Sequence, residues 1–122
     1  MAGYVDLFVL AVPKKNLLAY AKSSRVMGKV MKENGALEYR EFLGEDLKVP
    51  SMNSFISIIK PKSGETIVSA VIGFKSRAHR DQVNKRSMAD PRVKKLMEQM
   101  TKSPPMDMKH TYYGGFETFV TP

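Results

Sequence analysis

Residues 76–84 of this 122-residue chain gather more chemically able groups than any other stretch: Ser76, Arg77, Ala78, His79, Arg80, Asp81, Gln82, Val83 and Asn84. On a helix, Arg80 and Asn84 stand one turn apart on one face. A guanidinium fork and an amide so placed can both reach one ligand carboxylate or one backbone segment, with Asp81 beside them. The structural alternative pairs Arg80 with an acid on a neighbouring strand and Asn84 with a loop carbonyl. His79 is an imidazole able to give or take a proton near neutral pH. The plainer reading makes it an exposed helix histidine, about 100° round from Ala78, the best core candidate of the segment. Two more groups fall on strands. A buried Glu38 would have a raised pKa and could serve as a base, whereas pairing with Arg40 would make it structural. Tyr113, like Tyr112 and Tyr39, should face the interior or a subunit interface. The expected site therefore has His79, Glu38 and Tyr113 as its catalytic groups and Arg80, Asp81 and Asn84 as its ligand contacts.

Composition removes several other chemistries. The chain has no cysteine, which excludes disulfides, thiol catalysis and sulfur-ligated zinc, and its two histidines make a histidine-rich metal site an unpromising reading. No cofactor and no metal are expected. No apolar stretch approaches the length of a membrane span, so no membrane association is expected. The opening Met1-Ala2-Gly3-Tyr4 runs straight into a strand without a basic region and apolar leader, and a cytoplasmic protein is the corresponding expectation. A net charge of +8 invites a nucleic-acid reading. The basic residues are spread over helix exteriors with no recognised binding motif, so nucleic acid is not the expected partner.

The elements that must position these groups follow a repeated plan of strand, amphipathic helix, strand. Tyr4 to Val12 is a strand stopped by Pro13. Lys14 to about Asn34 is a helix whose Leu17, Tyr20, Ala21, Ser24, Met27, Gly28 and Met31 share an arc, read as core, with the small residues allowing close approach to a sheet. Asn34-Gly35 ends it, and Ala36 to Leu43 is the second strand. After a polar connection, Met52 to Ile59 and Glu65 to Phe74 read as a hairpin around Pro61-Lys62-Ser63-Gly64. Ser76 caps the next helix, which has a poor apolar stripe, so something polar faces inward or lines a cavity. Asp90-Pro91 opens another helix, and the last strand is Thr111 to Val120, where Gly114-Gly115 marks a bulge or a close backbone approach. Two such units make a single ferredoxin-like α+β domain over residues 1–122: βαββαβ, an antiparallel sheet with helices on one face.

Both faces of the long strands are apolar. Val5, Leu7 and Val9 lie opposite Phe8, Leu10 and Val12, and Ile67, Val71 and Gly73 lie opposite Val68, Ala70, Ile72 and Phe74. A face open to water would be polar. A second copy packed on the open face, a C2 homodimer, is the expected cover. The nine methionines are expected to fill the core and adapt to that contact.

The run Ser76 to Asn84, the block Met88-Ala89-Asp90-Pro91-Arg92 and the ending Tyr113-Gly114-Gly115-Phe116-Glu117 resemble the YbaA-like family of small uncharacterised proteins. Tyr4-Val5-Asp6 with Pro13-Lys14, and Gly35-Ala36-Leu37-Glu38-Tyr39, fit the same pattern, so the resemblance spans essentially the whole chain. It implies a dimeric α+β barrel, similar to antibiotic-biosynthesis monooxygenases and heme-degrading relatives, with no established activity and no catalytic residues to carry over. Met106 and Met108 depart from it, in the loop before the last strand. Two functions compete. One is binding or turnover of a small, partly apolar molecule in a cavity between helices and sheet. The alternative is a non-catalytic basic binding module for an acidic partner or nucleic acid.

Overall fold

The computed structural model describes residues 2–122 and runs β1 (Tyr4–Pro13), α1 (Leu17–Glu33), β2 (Glu38–Leu43), α2 (Phe55–Ile59), β3 (Glu65–Phe74), α3 (Arg77–Met88), α4 (Pro91–Lys102) and β4 (Thr111–Glu117). Met1, the start of the stretch leading into the first strand, lies outside the described residues. The strands form one antiparallel sheet in the order β2-β3-β1-β4. This is the ferredoxin-like α+β arrangement expected from the repeat. Val83, Asn84 and Ser87 of α3 and Val93 and Leu96 of α4 turn inward beside α1, and these three helices cover one face of the sheet.

Register decides which side chains meet the helices. Tyr4, Asp6, Phe8, Leu10 and Val12 of β1 alternate with the residues of the opposite face, and Val68, Ala70, Ile72 and Phe74 of β3 lie beside them. Met31, Ala36, Ile72, Phe74 and Val83 pack into one buried cluster, with Leu10, Val12 and Val68 in a second. Gly28 of α1 sits where an added Cβ would come within 2.6 Å of the Tyr39 ring, so the close approach of helix and sheet requires glycine there. Likewise, a Cβ on Gly115 would collide with the Tyr4 hydroxyl. The pairing of β1 with β4 runs without interruption through both glycines. Gly114-Gly115 thus serves a close approach and not a bulge.

Three expectations need correction. Met52 to Ile59 is not a strand and makes no hairpin with β3, whose partners are β1 and β2. The Ser54 hydroxyl accepts from the Ile56 amide at 3.0 Å and caps a short helix, α2, and Lys60 ends it in the left-handed conformation. A short apolar run has no decisive periodicity, and here the local cap won. As a result the face opposite the main helices is not wholly bare: Ile56, Ile59 and Leu47 pack over Ala11, Ile67 and Val9 at one end of it. Ala78 is exposed, whereas His79 and Arg80 are half-buried and Val83 and Ser87 are buried. The inward face of α3 thus sets the polar Arg80, Asn84 and Ser87 beside a single buried apolar residue, Val83. The last strand ends at Glu117, and Phe119 and Val120 beyond it are exposed.

Candidate functional site

Between α1, α3, α4 and the sheet lies a cavity of about 600 Å³, a size that holds a small molecule. Its floor is Phe8 and Leu10 of β1 with Ala70 and Ile72 of β3. Ala70 stands in register between Phe8 and Glu41, and its single methyl leaves room above the sheet that a longer side chain would fill. The walls are rich in methionine: Met27, Met31, Met88, Met97, Met100, Met106 and Met108, seven of the nine in the chain, line this space. Methionine was expected in the core and at a subunit contact. Its unbranched, polarisable side chain suits a wall that must fit variable apolar shapes. The α1 arc read as core is likewise divided, with Tyr20, Ser24, Met27 and Met31 reaching the cavity.

Polar groups gather at two ends. At the first, Asp6 is the one charged residue of β1 and is 3% exposed. Its Oδ1 accepts from the Arg80 guanidinium at 2.8 Å and from the Tyr113 hydroxyl at 2.9 Å. Arg80 also donates to the Tyr113 oxygen at 2.5 Å and, through Nε, to Asp81 at 2.7 Å. Burial works to lower the Arg80 pKa, but the Asp81 and Asp6 carboxylates outweigh it and hold the group more firmly cationic. Burial, reinforced by the hydrogen bond to Asp6, raises the Tyr113 pKa, so this hydroxyl stays protonated. Tyr113 packs on Phe8 with ring centroids 4.8 Å apart, which sets the angle of its hydroxyl.

At the second end, Glu41 of β2 accepts hydrogen bonds from two tyrosines. Tyr20 of α1 donates to Oε1, and Tyr39 donates to Oε2 at 3.0 Å. Burial first, then the Glu41 carboxylate, raises both tyrosine pKa values and keeps the phenols protonated. The two ends lie two strands apart on the floor, roughly 10 Å across at the usual strand spacing. What the arrangement can do chemically follows: an apolar molecule fits between two carboxylate-centred clusters, with a cation held behind one of them and proton-bearing phenols at both.

The expected site residues divide. Tyr113 and Asn84 line the cavity, and Arg80 stands directly behind Tyr113 and Asp6. Asp81 lies outside, steering Arg80 from the surface. His79 turns the other way: its Nδ1 accepts from the Lys75 amide at 3.0 Å and its Nε2 lies against Gly35. Glu38 is on the open face of the sheet, ion-paired with Arg40 at 3.1 Å. Neither reaches the cavity. Sequence reasoning missed Asp6 and the Tyr20–Glu41–Tyr39 group. A lone acid in an apolar strand marked Asp6, whereas Glu41 sits among exposed-looking charges in Glu38-Tyr39-Arg40-Glu41 and only the strand's alternation places it with Tyr39's face of the sheet.

Comparison with known proteins agrees with this geometry at the level of fold. Residues 3–108 match a family described as a protein of unknown function, DUF1428. The uncharacterised protein YbaA of Escherichia coli K12 is 35% identical over 117 residues, covering 96% of this chain and 97% of its own, and YbaA of Shigella flexneri matches equally well. Among solved structures, a NIPSNAP-family protein of unknown function from Agrobacterium tumefaciens superposes with a TM-score of 0.60 at 15% identity, over 94% of this chain and 86% of that one. A putative antibiotic biosynthesis monooxygenase from Deinococcus radiodurans gives 0.54 at 12% identity, over 98% and 95%. At such identities the likeness is one of fold.

Proposed function

The chain belongs to the DUF1428 family of proteins of unknown function, and we propose that it binds, and acts upon, a small, partly apolar molecule held in the cavity between the helices and the sheet. The observation that carries this reading is the cavity's composition: an apolar, methionine-walled space of about 600 Å³ that holds two carboxylate-centred clusters, Asp6 with Tyr113 and Glu41 with Tyr20 and Tyr39. A packed core would have closed it, since interiors leave few voids larger than a water molecule. Tyr113 and Asn84 are the ligand's polar contacts in this proposal, Arg80 and Asp6 position Tyr113, and Glu41 with its two tyrosines borders the cavity elsewhere. His79, Glu38 and Asp81 take no part in it.

Two finer statements belong to the same proposal. The working form is a homodimer closed over the open sheet face, where Phe42, Tyr112 and Phe116 stand 40%, 46% and 54% exposed beside Leu7 and Val71. Its location is cytoplasmic. Among the described residues no helix is long and apolar enough to cross a membrane.

The test is uptake of the neutral fluorophore N-phenyl-1-naphthylamine, read by its emission, in the native chain and in Met97→Trp. Met97 lines the cavity from a half-buried position on α4, so the indole fills the space with little strain on the core. The expected result is binding by the native chain, with affinity reduced about tenfold or more in Met97→Trp. Equal binding by both would place the dye elsewhere and overturn the reading.

A further inference from the structure

A second depression, of about 660 Å³, lies on the outer side of α1 where that helix crosses the edge strand β2. Its walls are apolar although they face solvent: Leu18 is 88% and Leu43 60% exposed. Arg25, Lys29 and Lys32 line it as well, at i, i+4 and i+7 of α1, and so form one cationic stripe along the groove. Lys32 donates to the Leu37 carbonyl at 3.3 Å. Among the described residues none of the three has a carboxylate within 4.0 Å. Glu41 is the one acid in the lining, and both its oxygens already accept from tyrosines.

Tyr20, Ser24, Tyr39 and Glu41 border this groove and the inner cavity alike. The two spaces therefore share a partition to which these four side chains contribute. Within it Tyr20 and Tyr39 both donate to Glu41.

We propose that groove and cavity are two halves of one site for an apolar molecule with a single carboxylate head, a reading that rests on the cavity being a ligand site. The head lies on the stripe of Arg25, Lys29 and Lys32, the body crosses the partition at Tyr20 and Glu41, and the tail ends among the methionines. Unpaired cations beside an apolar trench favour a group that supplies countercharge and apolar surface together. A nucleic acid offers many charges and would leave the trench and the cavity empty. A neutral apolar molecule would fill the cavity and ignore the stripe.

The experiment displaces bound N-phenyl-1-naphthylamine with dodecanoate or with 1-dodecanol, equal chains that differ in the charge of the head, at low ionic strength. It is repeated on the variant Arg25→Gln/Lys29→Gln/Lys32→Gln, whose three positions are all exposed and whose fold is checked by circular dichroism. The expected result is that dodecanoate displaces the dye at about tenfold lower concentration than dodecanol, and that the triple variant and high salt both abolish this advantage. Equal potency of the two competitors overturns the carboxylate proposal and leaves the cavity reading standing. An advantage that survives in the triple variant also overturns it, since attraction by the overall charge would then suffice. Failure of the dye to bind at all removes both readings.

Discussion

Asp6 and Arg80, 74 residues apart in sequence, meet in an ion pair of 2.8 Å whose side chains are 4% and 11% exposed. The pair ties the centre of the sheet to the first turns of α3. Breaking a buried pair from one side leaves an uncompensated charge, which costs more than the pair itself contributes. Asp6→Asn keeps the size and one acceptor but removes the countercharge, and Asp81 alone remains to hold Arg80. The expected loss is about 3 kcal/mol in urea unfolding, with most of it regained in Asp6→Asn/Arg80→Met, where both charges are gone. Equal instability of the single and double variants would show that the charge is not what matters.

The phenols around Glu41 give the protein an alkaline limit. Tyr20 and Tyr39 both have pKa values raised above the ordinary 10.0, burial contributing most and Glu41 next. A raised folded-state pKa favours the protonated form in the fold. The resulting stabilisation is complete below pH 10.0, the unfolded value, and is lost as the pH climbs through the higher folded-state values. Stability should fall steeply as pH rises past that point. Tyr20→Phe/Tyr39→Phe should be less stable at neutral pH, because Glu41 loses both donors, yet show a flatter decline above it. Urea midpoints measured on either side of pH 10.0 report the two slopes, and parallel slopes would assign the alkaline transition to other groups.

The repeat of strand and helix was legible because long apolar runs and strong caps agree with the tertiary fold. Ser76 and Asp90 cap α3 and α4 as their sequences suggest, each side chain accepting from a first-turn amide. Phe55 to Ile59 was not legible, because four apolar residues around Ser57 suit a strand or a helix turn, and the Ser54 cap together with the packing of Ile59 over Ala11 and Ile67 decides. The site was half legible. Arg80 and Asn84 announce a polar inner face on α3, and the alternative pairing of Arg80 with a strand acid is the one the structure holds. Glu41 could not be found by inspection, because its partners Tyr20 and Tyr39 come from α1 and β2, and their meeting depends on Gly28 bringing that helix down onto the Tyr39 ring.

The open face of the sheet carries the last prediction. Leu7 pairs with Val71 on one side and Gly114 on the other, so it stands near the centre of the face that no main helix covers. Phe116 lies on the same face, opposite Val5 and 54% exposed. If two copies close over this surface, a lysine at either position must bury a charge without a partner, a cost of several kcal/mol shared across one symmetric contact. Phe116→Lys is the gentler change, since its site is already partly open in the single chain. Both Leu7→Lys and Phe116→Lys should convert a dimer to a monomer by light scattering coupled to gel filtration, with Phe116→Lys retaining the native circular dichroism spectrum. A native chain that runs as a monomer, or a Phe116→Lys chain that remains a dimer, would show that this face is not where copies meet.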